Sequence, residues 1–118
     1  DMAITNKIGL NHSRLIVDHV DESIIEYVHR ETGAWAGIST GSLQRPVPAA
    51  AVADMVTRYG PERILLNSDH VGYRGIDLSS VPKALRELRR RGLSEPDIRR
   101  VAFDNANCAL RLGLSAPQ

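Results

Sequence analysis

The chain has 118 residues, with 15 Lys and Arg against 14 Asp and Glu. This length suits a single domain, and a hydrophobic share of 42% with a charged share of 25% excludes an intrinsically disordered chain. The net charge of +1 gives no general attraction to nucleic acid or anionic lipid, and every apolar run is far shorter than the ~20 residues of a membrane span. Cys108 is the only cysteine and cannot form an intramolecular disulfide, which favours a reducing compartment, so we expect a cytoplasmic protein. The short apolar runs predict no membrane contact.

Three short apolar runs, each followed by an amphipathic stretch, predict an α/β fold with a parallel sheet. The predicted strands cover residues 14–18, 34–38 and 63–67. The first of them has an unbroken apolar centre, which is typical of a strand buried on both faces in a parallel sheet. Helices are predicted over residues 21–32 and 46–59, the first beginning at a good N-cap residue and the second after prolines.

Two further helices are predicted at the end of the chain, the first capped by Ser80 and the second by Ser94. Ser94 and Asp97 form a variant of the capping box, with Asp in place of the usual Glu. In the last helix the 3.6-residue period predicts one buried face, formed by Ile98, Val101, Ala102, Asn105, Ala109 and Leu112.

These two helices carry a cluster of arginines, namely Arg86, Arg89, Arg90, Arg91, Arg99 and Arg100. Clustered arginines can bind phosphate, including a nucleic-acid backbone. No aromatic residues are interleaved for base stacking, and the arginines lie opposite an apolar helix face, which favours a solvated surface. Nucleic acid is therefore not the expected partner.

Polar residues follow each predicted strand, where the ligand sites of parallel α/β folds gather. In chain order they are Asp18, His19, Thr40, Gly41, Ser42, Asn67, Ser68, Asp69 and His70. Because the carboxyl ends of neighbouring parallel strands meet at one edge of the sheet, we expect His19 and Asp69 to face one shared space. Imidazole nitrogen and carboxylate oxygen are common metal ligands, so this edge is a candidate metal site.

Each candidate also has a purely structural interpretation. His19 could hydrogen-bond locally, and Asp69 could cap a turn by accepting from backbone amides two residues on. His70 points away from Asp69 if the chain is extended, which favours a supporting or loop role. We expect no chemistry from three other residues, namely His12 at the opposite end of the sheet, His29 on a solvated helix face and Cys108 in the core.

Several segments resemble the C-terminal portion of a TatD-like metal-dependent hydrolase, a family in the amidohydrolase superfamily of (β/α)8 barrels. The similar segments are residues 15–22 (LIVDHVDE), 33–38 (GAWAGI), 59–69 (YGPERILLNSD) and 98–106 (IRRVAFDNA). The resemblance covers nearly the whole chain. The phosphotriesterase-like branch of the same superfamily has a similar layout and remains an alternative.

The resemblance implies roles for individual residues. His19 matches the metal-binding histidine that ends the family's sixth strand. Asp69 matches the aspartate that ends the eighth strand, contacts the metal and takes a proton from the attacking water. The implied cofactor is a divalent metal, zinc, with one or two ions in the full-length protein. The expected substrate is a small molecule with an ester, amide or phosphoester bond, in a pocket lined by Thr40, Ser42, Ser68, His70 and Tyr73.

The chain also departs from the family pattern. It contains neither the His-x-His pair that ends the first strand nor the metal ligands of the middle strands. A (β/α)8 barrel takes ~250 residues, so 118 residues hold about the last three of its eight βα units. We therefore expect residues 1–118 to be a single partial domain of a TIM barrel, inactive without the missing N-terminal barrel half. The alternative from another class is a non-catalytic binding or scaffold protein on a decayed barrel.

Overall fold

A parallel three-stranded sheet lies at the centre of the computed structural model, which describes residues 7–42, 45–70 and 77–115. The strands lie side by side in chain order and are β1 (Ile16–Val17), β2 (Trp35–Ser39) and β3 (Ile64–Asn67). In the register of the sheet, Ala36 of β2 lies between Val17 of β1 and Ile64 of β3. The predicted α/β fold with a parallel sheet is thereby confirmed.

Helices connect the strands as crossovers. α1 (Ile25–Glu31) joins β1 to β2, and α2 (Ala49–Tyr59) joins β2 to β3. After β3 come α3 (Ser80–Arg90), α4 (Glu95–Arg99), a π-helical segment (Arg100–Asp104) and α5 (Asn105–Ala109), while a 3-10 turn (His12–Arg14) precedes β1. Within the part of the chain that the structure describes, no helix is long and apolar enough to cross a membrane.

One face of the sheet packs against the helices. Side chains alternate along a strand, so Ala36 and Ile38 of β2 share this face with Ile64 of β3, and each is at most 1% exposed. They belong to one hydrophobic core together with helical side chains that include Val52, Val56, Leu88 and Ile98. Because burial of a large aliphatic side chain contributes ~1.5–3 kcal/mol, this layer supplies most of the driving force for folding.

The opposite face of the sheet carries a different set of side chains. Ile16 of β1 is 41% exposed, and β2 contributes only the small residues Gly37 and Ser39 near its end. Asp18 directly follows β1, and Asn67 is the last residue of β3. The polar groups of this face therefore lie together at the carboxyl edge of the sheet.

The first strand and first helix are shorter than predicted because local turns interrupt them. The backbone of His19 is left-handed, with a φ of 55°, which ends the extended run that contains β1. α1 begins at Ile25 because the carboxylate of Asp21 accepts hydrogen bonds from the amide and hydroxyl of Ser23, at 2.9 and 2.5 Å. Such a side-chain turn competes with helix formation.

The last predicted helix contains the π-helical segment, whose wider turn changes which side chains face the core. Ala102 and Leu112 are exposed, so their predicted burial is wrong. Asn105 is buried as predicted, and its Nδ2 donates to the carbonyl oxygens of Pro61 and Ile64, both at 2.7 Å. The helix thus holds the start of β3 through a polar contact as well as an apolar one.

The structure also decides three predictions about single residues. The capping box of α4 is confirmed, because Ser94 Oγ accepts from the amide of Asp97 at 3.2 Å and donates to its carboxylate at 2.7 Å. Cys108 is exposed, so its assignment to the core is wrong. His29 is half-buried beside the ring of Tyr59, at 5.7 Å between ring centroids, so the solvated interpretation is wrong. Burial lowers the pKa of His29.

Candidate functional site

The imidazole of His19 and the carboxylate of Asp69 meet at the carboxyl edge of the sheet. His19 follows β1 and Asp69 follows β3, and Nδ1 of His19 lies 3.7 Å from Oδ2 of Asp69. The two side chains are 59% and 27% exposed, so both reach solvent. The separation is too long for a hydrogen bond, which leaves both groups able to bind a third partner.

Both residues have a left-handed backbone conformation. The φ angle is 55° at His19 and 47° at Asp69. This region costs most non-glycine residues ~1–2 kcal/mol, although Asp and His occupy it more often than other side chains do. Conformations of this kind cluster at binding sites, where the surrounding structure enforces them. Arg63 and Arg111 also have a positive φ, so the conformation is not confined to this edge, but at His19 and Asp69 it accompanies the approach of the two side chains.

The carboxylate of Asp18 connects the ends of the three strands through hydrogen bonds. Its Oδ1 accepts hydrogen bonds from the amide of His19 at 2.9 Å and from Nδ2 of Asn67 at 3.1 Å. The same oxygen lies 3.5 Å from the hydroxyl of Ser39, which donates to Oδ1 of Asn67 at 3.0 Å. The other carboxylate oxygen of Asp18 lies 4.0 Å from Nε2 of His19. Asp18 therefore binds the backbone of His19 and lies near its ring.

Two glycines make room for side chains at this edge. A Cβ at Gly37 would lie 2.7 Å from Oδ1 of Asp18, and a Cβ at Gly41 would lie 2.5 Å from Cε1 of His70. Both distances are shorter than any ordinary contact of a Cβ atom. The absence of a side chain at these positions lets Asp18 and His70 lie directly against the end of β2 and the turn after it.

A cleft of about 240 Å³ opens beside His19. It is lined by His19, Asp21, Ser39, Ser42, Arg45 and Val47. Ser39 and Ser42 are buried, at 1% and 8% exposure, whereas Arg45 is exposed at the rim. The structure therefore places Ser42, which the sequence assigned to a substrate pocket, in the same cleft as His19.

Thr40 and Nε2 of His70 have partners within the fold, whereas Nδ1 of His70 is buried without a partner among the described residues. Oγ1 of Thr40 hydrogen-bonds to the carbonyl oxygen of Asn67 and to the hydroxyl of Ser80, at 3.0 Å each. Nε2 of His70 donates to the carbonyl oxygen of Asp77 at 2.7 Å. These contacts fasten the ends of β2 and β3 to the start of α3.

Thr40 also lines a second depression, of about 280 Å³, together with Asp77 and Lys83. The Lys83 ammonium lies 2.7 Å from the Asp77 carboxylate, and its hydrogen bond lowers the pKa of Asp77 to about 2. The charges in this depression are thus already paired. Of the remaining pocket predictions, Ser68 is half-buried near this edge, and Tyr73 lies outside the described residues.

The donor atoms of His19 and Asp69 fit a divalent metal in type and spacing. Two atoms bound to one tetrahedral zinc at about 2.0–2.1 Å lie about 3.3 Å apart, which is close to the observed 3.7 Å. Within residues 7–42, 45–70 and 77–115, however, no group of three or more His, Cys, Asp or Glu side chains is arranged to hold a metal ion. Because zinc sites use three or four protein ligands, this pair supplies at most part of a site.

Sequence reasoning gave no role to several residues of this edge. Asp18 and Asn67 were noted at the strand ends, but the hydrogen bond between their side chains was not predicted. Ser39 belongs to β2 itself, and Arg45 lies in a polar loop without periodicity, so neither could be assigned before the strands were placed side by side. The position of Ser39 and Arg45 relative to His19 depends on the register of the sheet.

The arginine-rich helices carry ion pairs. The pairs are Arg89–Glu95, Arg90–Glu87, Arg91–Asp54, Arg99–Asp104 and Arg100–Glu62. Hydrogen bonds from Arg90 and then Arg91 lower the pKa of Glu87 to about 2. This surface matches the predicted solvated helix face, and most of its positive charge is neutralised locally.

Comparison of the chain with protein-family models, with curated proteins and with solved structures finds no match. Any functional assignment therefore rests on the residues of the site.

Proposed function

We propose that this chain is the C-terminal βα portion of a metal-dependent hydrolase with a (β/α)8 barrel, of the TatD-like kind that its sequence resembles. The observation that carries the proposal is the approach of His19 to Asp69, at 3.7 Å, from the ends of β1 and β3. A histidine and a carboxylate from different strands, both open to solvent, are the ligand types that hydrolytic metal sites use.

Two features of the sheet support a barrel. The strands run parallel in chain order with the crossover helices on one face, as consecutive units of a (β/α)8 barrel do. Ile16 on the other face is 41% exposed, and β1 has one unpaired edge within the described sheet. In a closed barrel that face would line the interior, and the edge would pair with a preceding strand. The remaining metal ligands would come from the strands that complete the barrel.

In such an enzyme each residue of the edge has its own task. A bound zinc ion would supply a water molecule whose pKa is lowered toward ~7. His19 would hold the ion through a ring nitrogen, and Asp18 would hold the backbone of His19 through the hydrogen bond to its amide. Asp69 would accept the proton of the attacking water at a carboxylate oxygen and orient that water toward an ester, amide or phosphoester bond.

Turnover by the full-length protein tests this assignment. Asp69→Asn preserves the size of the side chain but removes the proton acceptor, so we expect kcat to fall by about 10²–10⁴-fold on chromogenic ester and phosphoester substrates. Asp54→Asn is the matched control, because Asp54 is an exposed carboxylate on α2 that pairs with Arg91. Unchanged turnover in Asp69→Asn would overturn the proposed role of Asp69.

A non-catalytic scaffold is the second candidate. The observation that favours it is that the described residues contain no complete metal-binding group. Metal analysis of the purified full-length protein separates the two candidates. Tightly bound, stoichiometric zinc supports the hydrolase, whereas a folded protein that retains no divalent metal supports the scaffold.

A further inference from the structure

We propose that the end of α1 carries an acid-sensitive switch, in which protonation of His29 releases this end of the helix from the guanidinium of Arg63. His29 is in the last turn of α1 and Arg63 directly precedes β3, so both lie at the amino edge of the sheet. His19 and Asp69 are at the opposite edge, and the switch is therefore independent of the proposed metal chemistry.

Arg63 fastens the end of α1 to the sheet. Its Nη1 donates to the carbonyl oxygens of Thr32 and Ala34, both at 2.9 Å, and its Nη2 donates to the carbonyl oxygen of His29 at 2.5 Å. The last carbonyls of a helix have no partner within the helix, so a guanidinium is well suited to bind them. Because Ala34 directly precedes β2, this one side chain connects α1, β2 and β3.

The imidazole of His29 has no place for a second proton. Its Nε2 is buried and has no hydrogen-bond partner among the described residues. The ring packs against Tyr59 of α2, with 5.7 Å between the ring centroids. A proton on Nε2 would create a buried donor without an acceptor, a state that folded proteins avoid. Protonation therefore requires the ring to leave this position and turn toward solvent.

Positive charge surrounds the rings of His29 and Tyr59. The guanidinium carbons of Arg58 on α2 and of Arg30 on α1 lie 5.4 and 5.9 Å from the centroid of the Tyr59 ring. Burial is the main cause of the lowered pKa of His29, and the charge of Arg63 lowers it further. A protonated His29 would thus add a like charge beside the guanidinium that binds its own carbonyl oxygen.

The neighbouring carboxylates are already engaged. The backbone and the carboxylate of Glu62 both raise the pKa of His29, but Oε1 of Glu62 accepts from Arg100 at 2.9 Å. On α1, the carboxylate of Glu26 lies 3.6 Å from the guanidinium of Arg30. Neither carboxylate is free to neutralise a protonated ring, so the surroundings favour neutral His29.

The direction of the pH dependence follows from this preference. Because the pKa of His29 is lowered from an ordinary 6.5 in the folded chain, the neutral ring stabilises the fold fully above pH 6.5. That contribution is lost as pH falls through the lowered pKa. In mildly acidic solution the ring leaves Tyr59, and repulsion from Arg63 frees the end of α1.

Thermal denaturation of the chain at about pH 7.5 and about pH 5 tests the switch, with His29→Gln as the variant because glutamine does not titrate. We expect Tm to fall between these two pH values by at least about 3 °C more in the unsubstituted chain than in His29→Gln. The amide NMR signals of Thr32 and Ala34 should shift with the titration of the His29 ring and should lose that shift in His29→Gln. An equal fall of Tm in both proteins would refute the switch.

A second pair of variants keeps the test independent of how His29→Gln folds. Arg30→Gln removes one of the surrounding charges from an exposed position, so the NMR titration midpoint of the His29 ring should move to higher pH. Arg86→Gln is the matched control, because Arg86 is an exposed arginine on α3, and the midpoint should not change. A His29 midpoint at or above the ordinary 6.5 in the unsubstituted chain, or equal midpoints in the two variants, would overturn the proposal.

Discussion

The helical layer (α3 and α4) and the strand-end edge (the carboxyl edge of the sheet, with His19 and Asp69) differ in whether their charged side chains are paired. In α3 and α4 the arginines are paired with carboxylates, as in Arg89–Glu95 and Arg90–Glu87. At the edge, His19 and Asp69 approach without a hydrogen bond and keep a left-handed backbone.

Under the proposed function, the helical layer serves stability and the edge serves binding. In the helical layer the charged side chains pair with one another around a packed core. Unfavourable φ angles lower stability, and they persist where a ligand or a catalytic role compensates for them. Substitutions in the helical layer should therefore reduce stability, whereas substitutions at the edge should reduce binding.

The largest expected effect lies in the core. Leu88 of α3 is fully buried, so Leu88→Ala should lower the free energy of unfolding by about 3 kcal/mol, measured by urea denaturation. The control is Leu78→Ala, because Leu78 is 83% exposed and its loss should change stability by less than about 0.5 kcal/mol. Equal effects of the two substitutions would refute the description of the core.

A smaller loss of stability is expected when the buried side-chain amide of Asn105, which hydrogen-bonds to the start of β3, is removed. Asn105→Ala should destabilise the chain by about 2 kcal/mol, because the carbonyls of Pro61 and Ile64 lose their donor. Asn107→Ala is the control, since the side chain of Asn107 bonds to the exposed Leu114 near the last described residue. A cost at Asn107 that equals the cost at Asn105 would contradict this account of the last helix.

Substitution of a left-handed residue at the strand-end edge should leave the stability of the chain unchanged or raise it. His19→Gly removes a side chain from a left-handed residue, so thermal denaturation should show unchanged or higher stability, by up to about 1 kcal/mol. Glu22→Gly is the comparison, because Glu22 is exposed without a left-handed φ and glycine there should only destabilise. A clear loss of stability in His19→Gly would show that His19 serves the fold.

The smallest effect is a dependence of stability on pH in the helical layer. The pKa of Glu87 is about 2 in the folded chain against an ordinary 4.5, so its ion pairs stabilise the fold above pH 4.5 and are lost as pH falls toward 2. Glu87→Gln should therefore lower Tm slightly at pH 6, and the difference from the unsubstituted chain should shrink by pH 2.5. A difference that stays constant across this range would exclude the ion pairs as its cause.

The sequence predicted the elements that depend on local pattern. Apolar runs bounded by polar residues located all three strands, and their order along the chain was enough to bring His19 and Asp69 to one edge. The π-helical segment was missed because a 3.6-residue period assumes a regular helix, which led to the wrong burial of Ala102. Leu112 is exposed because the last helix ends at Ala109.

The supporting contacts of the edge depend on neighbours that only the folded sheet provides. Asp18 reaches Asn67 because Gly37 has no side chain, and that fit follows from the register of β1, β2 and β3. The start of α1 was likewise predicted too early, because the bond between Asp21 and Ser23 competes with the helix over a few residues.

Metal titration of the 118-residue chain tests the central claim most directly. We expect weak cobalt(II) or zinc binding, weakened further by at least about tenfold in His19→Ala and in Asp69→Asn. His12→Ala, which alters a histidine in the turn before β1, should bind as the unsubstituted chain does. If His19→Ala and Asp69→Asn bind metal as tightly as the unsubstituted chain, the strand-end edge is not a metal site and the account is wrong.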